Sequence, residues 1–578
     1  MIGLFCLYLY SGSIDEYRIM EDLSDINIDI HPEVMRGESF LLVRNVPDKF
    51  LQDRFFNRYD DIVLLTEGIV INRQQIEGDY RQHLDAQIID AYRGKSLDKL
   101  VGEFRGSFSG IILDDNINSV TVYLDQLATK TLFYYEFSQG VVIASEIKSI
   151  VDFCKLNGLK VSLSMAGAYS MLTYGYMYQD NTLVNEIKRL REGNIYTFSN
   201  NDIWITCYHV FSQINEENES LSNDVAIDEI NHLFRMGLGL QIEKNKEYGY
   251  MDAIPLSAGM DCRMTAFVHR DMEKEPALNF TYSETGQYDF IVPSQMAHDL
   301  GNKWLFKSLD HGWDLLNIEE SIRIADGLIY YAWPAQLIDF IKCADTRNWG
   351  IIHTGVLGDV IIDSFSKVGD PRPYKIGDGA FSLKLIEKLK KYVSESTDIH
   401  EHGMIRNRGI NGACLGYSLT FRHFTEALSP FLYIDLFDYC MAIPLSKRQR
   451  HKLYYAWVEK YYPNALNYKH NGITPKGKLE VTVHKKPYRI RALPDVLRNT
   501  VRIKLNSNYG MNPFDGWYEG NPILKEKMDS FFFDNVPLVE GWEELYQDVV
   551  ELYKTGNTKE KIQAISLVGT IKMFFAEG

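Results

Sequence analysis

The segment Pro255–Arg263 constrains the fold of this 578-residue chain more than any other. An apolar run, Tyr250–Ile254, precedes it and predicts a short strand, and Met264–Val268 follows it and predicts the first turns of a helix. The first N–H groups of a helix lack intrahelical partners, so such a junction can bind an anion. Gly259 lets the backbone approach a ligand, and Ser257 adds a hydroxyl group.

Two aspartates suggest that a divalent cation takes part. Asp261 would repel a phosphate unless a cation bridges the two, so the loop predicts a nucleotide together with Mg²⁺. Asp359 ends the segment Thr354–Asp359, which follows a second predicted strand, Trp349–Thr354. Strand exits of one parallel sheet share an edge, so we expect both carboxylates in one crevice. Taken alone, each loop also suits an ordinary capping turn.

The order of predicted elements divides the chain into two regions. Residues 1–155 are rich in short strand-like runs and predict an antiparallel, layered α+β domain whose first buried strand is Met1–Tyr10 rather than a signal peptide. A polar segment, Asn215–Asp224, indicates a linker. Strand–helix alternation after it predicts an α/β doubly wound parallel sheet, and residues from about 380 onward read mainly as helix.

Composition excludes several classes of function. The net charge of −17 argues against broad nucleic-acid binding. The seven cysteines form no Cys-x-x-Cys motif, which argues against structural zinc and a disulfide framework and favours a cytoplasmic protein. No apolar run is long enough to predict a membrane span.

Several segments resemble the asparagine synthetase family. The Ser257 loop resembles that family's Ser-Gly-Gly-Leu-Asp-Ser pyrophosphate loop, and Gly355–Asp359 resembles its second Mg²⁺-binding segment. Further similarities, covering roughly residues 1–475 in the same order, lie in Phe104–Ser109, Ala144–Lys148, Gly175–Gly193 and Ser429–Pro444.

The resemblance implies a glutaminase-like, Ntn-hydrolase-like domain at 1–213 and an adenylating ATP-pyrophosphatase (PP-loop) domain at 224–578 with a helical C-terminal part. It implies ATP and Mg²⁺ as cofactors, with Asp261 and Asp359 as metal ligands. A lysine of the C-terminal region, Lys469 or Lys476, is expected to stabilise charge in the reaction. The implied ATP and pyrophosphate contacts are Leu256, Ser257, Ala258, Gly259, Met260, Asp261, Cys262, Thr281 and Gly355.

Departures from the family pattern change the expected activity. Ile2 stands where glutamine-using members expose a nucleophilic cysteine, and Cys6 is expected to be a small core residue. Glu67-Gly68-Ile69 replaces the family's Asn-Gly-Glu segment, so the glutaminase half is expected to be folded but inactive. This pattern resembles the β-lactam synthetases and lasso-peptide cyclases. Val356 replaces a glutamate that contacts the amino-acid substrate, which makes free aspartate an unsuitable substrate.

The leading hypothesis is an ATP-dependent, AMP-forming ligase that joins a carboxylate to an amine. Intramolecular cyclisation is favoured over amidation of a uronic acid or peptide carboxylate with ammonia from a partner. A catalytically impaired scaffold is the alternative from another class, motivated by Ala258, Cys262 and Val356. The expected partners are a carboxylate-bearing small molecule, peptide or saccharide, and a second copy or a protein that supplies substrate. A basic cluster between Lys476 and Arg502 predicts either an anion-attracting rim or a solvated face.

Overall fold

The computed structural model describes most of the chain, from Met1 to residue 576. The described residues are 1–19, 30, 32–200, 202–214, 220–366, 372–469, 475, 480–483, 486–489 and 511–576.

The N-terminal region contains two six-stranded antiparallel sheets. The first has the order β10-β8-β9-β1-β3-β2, and the second has the order β12-β11-β7-β6-β5-β4. The strands are β1 Gly3–Leu9, β2 Glu33–Arg36, β3 Phe40–Asn45, β4 Phe56–Tyr59, β5 Ile62–Val70, β6 Gly106–Asp114, β7 Ser119–Leu124, β8 Phe133–Phe137, β9 Gly140–Ala144, β10 Lys188–Arg189, β11 Asn194–Ser199 and β12 Asp202–Cys207.

Four layers make up this region. Apolar side chains of both sheets, such as Leu4 and Leu42 from one and Val63 and Val122 from the other, form a single core between them. Helices cover the outer faces, because each outer face carries its own apolar cluster. The helices are α1 Arg73–Tyr80, α2 Leu84–Arg93, α3 Leu97–Glu103, α4 Ile147–Leu156 and α5 Met165–Tyr174.

A five-stranded parallel sheet follows, in the order β15-β14-β13-β16-β17. After β13, the chain adds β14 and β15 on one side of that strand, and then adds β16 and β17 on its other side. The topological switch point therefore lies between β13 and β16. The strands are β13 Met251–Pro255, β14 Leu278–Ser283, β15 Lys303–Ser308, β16 Trp349–His353 and β17 Ala427–Leu428, and a separate hairpin comprises β18 Glu480–Val483 and β19 Lys486–Arg489.

Helices flank this sheet on both faces and fill the C-terminal region. The longest begins after Ser222, whose side chain accepts a hydrogen bond from the Val225 N–H, and ends at Gly249 in the left-handed conformation. They are α6 Asn223–Tyr248, α7 Met260–Met272, α8 Tyr288–Leu300, α9 Ile318–Ala325, α10 Ala332–Lys342, α11 Ile386–Leu389, α12 His400–Met404, α13 Leu415–Phe421, α14 Ile434–Ala442, α15 Leu445–Arg448, α16 Lys452–Tyr461, α17 Phe514–Gly520, α18 Pro522–Asn535, α19 Glu543–Thr555 and α20 Thr558–Phe575, with π-helices at Asp359–Asp363 and Ile405–Cys414.

Most element predictions are confirmed, and two boundaries differ. The strand predicted at Met1–Tyr10 is β1, buried along its whole length. Helix α7 begins at Met260 rather than Met264. The sequence also predicts a helix near Ser294–Leu300, and the corresponding helix, α8, begins earlier, at Tyr288. Pro293 lies inside α8, beyond its first turn, where it cannot donate a hydrogen bond to the carbonyl four residues earlier. In the described part of the chain, no helix has the length and apolar character to cross a membrane.

Candidate functional site

The first loop, Pro255–Arg263, is held closed by hydrogen bonds between its own residues. The Gly259 N–H donates to Ser257 Oγ at 3.1 Å, and the Ser257 N–H donates to Cys262 Sγ at 3.2 Å. Ser257 Oγ also lies 2.9 Å from Cys262 Sγ. Cys262 therefore holds the turn at the N-terminus of α7, which is more than the simple helix packing that its apolar character suggests.

Two further side chains fix the loop from outside. The Asp289 carboxylate, in the first turn of α8, accepts a hydrogen bond from the Ala258 N–H at 2.9 Å. Arg263 is fully buried and donates to the Ala258 carbonyl at 2.9 Å, and also to the carbonyls of Tyr468 and Lys469. Burial lowers the pKa of this guanidinium. The loop is thus tied both to the next helix of the sheet and to the segment that follows α16.

The second loop packs directly against the first. A Cβ atom at Gly355 would lie 2.2 Å from the backbone N of Cys262, and one at Gly358 would lie 2.7 Å from Asp261 Cγ. Leu357 between them has φ of 67°, a left-handed conformation that is strained for a branched side chain. Two glycines and one strained residue therefore allow the two strand exits to meet.

Asp261 and Asp359 come together where these loops meet. Asp261 is half-buried, whereas Asp359 is open to the cleft. The pKa of Asp261 is held well above its usual range, first by loss of water around it and then by the charge of Asp359. Loss of water also raises the pKa of Asp359, against the opposing charge of His451. The structure thus brings two carboxylates into one electrostatically coupled pair.

Three other polar side chains complete the surroundings of the pair. The Tyr454 hydroxyl donates to Asp261 Oδ1 at 2.9 Å. His451 Nδ1 lies 2.9 Å from Asp363 Oδ2; burial would lower the pKa of this histidine, but its hydrogen bond to Asp363 and the nearby carboxylate charges raise it. Arg408, on the π-helix Ile405–Cys414, lines the same cleft.

The cleft between the two loops has a volume of about 440 Å³. Its floor is the carboxyl end of the parallel sheet, with residues from β13, β14 and the turn after β16. Apolar and aromatic side chains form much of the wall, among them Tyr282, Val356, Phe365 and Tyr417. A volume in this range accommodates a small organic molecule or a nucleotide.

The donor set of the cleft fits Mg²⁺ bound together with phosphates. Mg²⁺ usually takes one or two carboxylates and completes its shell with water and phosphate oxygens. Asp261 and Asp359 supply two carboxylates, and a cation between them would offset the loss of water that raises both pKa values and the charge of Asp359 that adds to the rise at Asp261. No cluster of three or more ligating His, Cys, Asp or Glu side chains is found among the described residues.

Most of the implied ATP contacts line the cleft. Ala258 is the exception: it is fully buried, and its N–H is bound by Asp289. The Thr281 hydroxyl donates to the Leu256 carbonyl at 2.7 Å, so it supports the strand end as well as lining the cleft. The implied contacts that line the cleft are Leu256, Ser257, Gly259, Met260, Asp261, Cys262, Thr281 and Gly355.

The two lysines remain predictions. Lys469 is half-buried beside the cleft, where its carbonyl accepts from Arg263 at 2.9 Å, but its side chain is not among the residues that line the cleft. Lys476 lies outside the described residues, as does most of the basic cluster between Lys476 and Arg502.

Sequence reasoning missed four residues of the site: Asp289, Arg408, His451 and Tyr454. Asp289 carried a usable signal, because it is an acidic residue in the first turn of a helix that follows a strand exit. Tyr454 was expected to be a core or interface residue. It is buried, as expected, but its hydroxyl also binds Asp261. Nothing in the local sequence of Arg408 or His451 indicates the cleft.

In the N-terminal half, the surroundings of Cys6 and Glu67 bear on the expectation of an inactive glutaminase. Cys6 is fully buried in β1, and burial raises the pKa of its thiol, as expected for a core residue. Glu67 accepts a hydrogen bond from Ser145 Oγ at 2.7 Å. Lys130 Nζ lies 3.8 Å from Glu67 and 2.7 Å from Glu426 of the C-terminal region. Glu67 is therefore part of a buried charge network that joins the two halves.

Comparisons with known proteins agree with part of this description. Residues 52–209 match a family model described as a glutamine amidotransferase domain. Asparagine synthetase (glutamine-hydrolyzing) 2 of Bacillus subtilis (strain 168) is 31% identical over 105 residues, which cover 17% of this chain and 14% of that protein. The chain thus matches only a small part of the curated relative's length. Together the two matches support a relationship to the asparagine-synthetase-like, Ntn-type amidotransferases.

Solved structures show weaker similarity. A glutamine phosphoribosylpyrophosphate amidotransferase from B. subtilis, complexed with ADP and GMP, has a TM-score of 0.22 at 10% identity, over 47% of this chain and 52% of that chain. The allosteric regulatory enzyme of purine biosynthesis has a TM-score of 0.23 at 11% identity, over 66% of this chain and 80% of that chain. TM-scores this low carry no argument about the fold.

Proposed function

We propose that the protein is an ATP-dependent, AMP-forming ligase of the PP-loop type that adenylates a carboxylate and then forms an amide with an amine. One observation carries the proposal: Asp261 and Asp359 meet at the exits of β13 and β16, beside the N-terminus of α7. This is the switch point of a parallel sheet, where ligands of such folds bind. The similarity to asparagine synthetase over 105 residues supports the same assignment.

The residues of the cleft have separable roles in this reaction. The first turn of α7 and the Ser257 loop would receive the pyrophosphate, because the helix N-terminus offers N–H donors and a partial positive charge. Asp261 and Asp359 would hold Mg²⁺, which supplies compensation for the negative charge that develops on the departing pyrophosphate. Arg408 and His451 are the positively charged candidates that face the same space.

The bonds change in two steps. A carboxylate oxygen of the substrate attacks the α-phosphorus of ATP, forming a P–O bond and releasing pyrophosphate. An amine nitrogen then attacks the acyl carbon, AMP leaves with the C–O bond electrons, and the amine proton passes to water. The cleft walls would exclude bulk water from the acyl-adenylate, because Phe365 and Tyr417 line the space next to the acid pair.

Intramolecular amide formation is the favoured version of this activity. Val356 and the aromatic wall offer an apolar surface rather than a carboxylate for the ammonium group of a free amino acid. In the N-terminal half, Cys6 is buried and Glu67 is engaged by Ser145 and Lys130, which supports an inactive glutaminase. Amidation of a uronic acid or peptide carboxylate with ammonia from a partner is the alternative within the same chemistry.

Nucleotide binding and ATP–pyrophosphate exchange test the proposal. We expect the protein to bind Mg·ATP, and to exchange labelled pyrophosphate into ATP with one or more of a panel of N-acyl amino acids, peptides and glucuronate. Asp261→Asn should reduce exchange by about 100-fold or more, as loss of a preorganised charged group does. Asp271→Asn, on the same helix but with an exposed carboxylate paired to Arg235, is the matched control.

Two results would contradict the ligase. Failure of the wild-type protein to bind Mg·ATP would favour the hypothesis of a catalytically impaired scaffold, which the altered residues Ala258 and Cys262 motivate. Equal rates of exchange in the wild type and in Asp261→Asn would show that the acid pair, Asp261 and Asp359, takes no part in the reaction. Lys469→Ala, compared in the same assay, tests the predicted catalytic lysine separately.

A further inference from the structure

A second cavity, here called the junction pocket, lies between the two halves of the protein. Its volume is about 360 Å³, and it is lined by residues near β10, by the segment after β12, and by the loop and π-helix around residues 395–411. No residue of the described chain lines both this pocket and the cleft of the acid pair. It is therefore a separate candidate binding site of small-molecule size.

Most charges that line the junction pocket are already paired. Arg191 forms an ion pair with Asp180. Arg406 forms ion pairs with Glu192, at 2.7 Å, and with Asp398. These two arginines therefore have their carboxylate partners within the protein and do not require a ligand.

Arg189 differs from the other two arginines. It is 9% exposed, and one of its terminal nitrogens donates to Asn411 Oδ1. Among the described residues, no carboxylate lies within the 4.0 Å of an ion pair with Arg189, and only Asn411 accepts a hydrogen bond from its guanidinium; the carboxylates of Asp180 and Glu192 act on its charge from farther away. A guanidinium carries five N–H donors, and a buried charge without a partner is costly. An anion in the pocket would supply the missing partner.

Glu395 is the exposed acid of the lining that forms no ion pair among the described residues. It lines the same pocket, and one of its oxygens accepts a hydrogen bond from the Ile376 N–H at 3.3 Å. No lysine or arginine of the described part of the chain forms an ion pair with it. The lining contains three arginines against four carboxylates, so a ligand with several negative charges would meet net repulsion.

We propose that the junction pocket binds a small zwitterion of the amino-acid class, with its carboxylate at Arg189 and its ammonium group toward Glu395. A planar guanidinium can bind a carboxylate through two parallel hydrogen bonds, which gives both affinity and orientation. The positive charge of the ammonium group offsets the excess negative charge of the side chains that line the pocket. The side-chain amide of Asn194, whose nitrogen donates to the Glu192 carbonyl, offers its oxygen to the remainder of the ligand, whereas the amides of Asn407 and Asn411 are already bound within the protein.

Calorimetric titration tests the proposal with defined probes. Each proteinogenic amino acid is titrated into the full-length protein, and acetate and ethylamine serve as probes that carry only one of the two charges. We expect at least one amino acid to bind saturably and neither single-charge probe to match it. Arg189→Gln and Glu395→Gln should each weaken that binding by tenfold or more.

Two controls separate this site from the acid-pair cleft and from misfolding. Asp261→Asn should bind the same amino acid as the wild type does, because the two cavities share no lining residue among those described. Arg189→Gln should unfold at a temperature no lower than the wild type, because it removes a buried charge that has no carboxylate partner. The proposal is wrong if no amino acid binds, if binding survives Arg189→Gln, if acetate binds equally well, or if Asp261→Asn removes the binding.

Discussion

At the scale of single residues, Asp261 occupies an electrostatically unfavourable position. Its carboxylate is half-buried, faces Asp359, and receives one hydrogen bond from Tyr454. Natural proteins retain such like-charge pairs where a cation or substrate uses them. The free protein therefore carries a local electrostatic penalty at neutral pH.

Replacing Asp261 by asparagine should make the protein more stable at neutral pH. Because its pKa is raised, Asp261 keeps its proton to higher pH in the folded state than in the unfolded chain. The electrostatic cost of its charge is therefore absent at low pH, and it grows as the pH rises through the folded-state pKa. The gain in unfolding temperature of Asp261→Asn over wild type should therefore increase from about pH 5 to about pH 8. Thermal unfolding across this range measures it. A gain that is constant or falls with pH would contradict the prediction, and Asp271→Asn is the control.

Mg²⁺ should stabilise the wild-type protein more than it stabilises Asp261→Asn. Cation binding between Asp261 and Asp359 would relieve their repulsion, and a ligand that binds only the folded state raises its stability. We expect Mg²⁺ to raise the unfolding temperature of the wild type and to have less effect on Asp261→Asn. An equal response of the two proteins at matched ionic strength would show that Mg²⁺ acts elsewhere.

At the scale of elements, the cleft depends on how closely the turn after β16 approaches the start of α7. Gly355 and Gly358 have no side chains at the contact, and Leu357 accepts a left-handed conformation to make the turn. Asp289 and Arg263 hold the facing loop in place. The geometry of the acid pair is therefore a property of two elements packed together rather than of either loop.

Gly355→Ala should separate the two loops. The added Cβ would lie 2.2 Å from the Cys262 backbone N, and backbone atoms cannot yield as a flexible side chain can. Overpacking of this kind costs about 1–3 kcal/mol, and the exchange activity should be lost with it. Gly78→Ala, in α1 and away from the cleft, is the matched control, since its Cβ would meet no atom within 4 Å. Equal activity in both variants, measured by ATP–pyrophosphate exchange, would contradict the close-approach argument.

At the scale of the whole molecule, buried charges link the N-terminal and C-terminal halves. Glu426, next to β17, is paired with both Arg54 and Lys130, and Arg422 is paired with Glu146 at 3.0 Å. All five side chains are buried. Each charge depends on a partner from the other half, so the two halves support each other electrostatically as well as through packing.

Glu426→Gln should destabilise the protein strongly. It would leave Arg54 and Lys130 buried with reduced compensation, and breaking a buried ion pair costs about 3–5 kcal/mol. Glu319→Gln is the matched control, because Glu319 pairs with Lys572 at the surface, where ion pairs contribute little. Denaturant unfolding compares the two midpoints. A shift of Glu426→Gln no larger than that of Glu319→Gln would contradict the role of the network.

Much of the fold could be predicted because periodic hydrophobic patterns are local. Alternating and continuous apolar runs indicated β1, β5, β6, β7 and β9, and strand–helix alternation indicated the parallel sheet. The contacts of Arg408, His451 and Tyr454 with the cleft could not be predicted, because each reaches the cleft from an element far away in sequence. Asp289 carried a signal, since it is an acidic residue in the first turn of the helix after β14.

The sequence by itself determined which groups the chain offers: a glycine-containing loop between a strand and a helix, two aspartates after strands, and Ile2, Cys6 and Glu67 in the N-terminal half. Only the tertiary structure decided which groups act together. It coupled Asp261 to Asp359, joined Glu67 to Lys130 and Glu426, and left Arg189 without a carboxylate partner in the junction pocket. The reason is physical: residue type fixes what a side chain can bind, whereas its pKa and its partners depend on water exclusion and on distances set by packing.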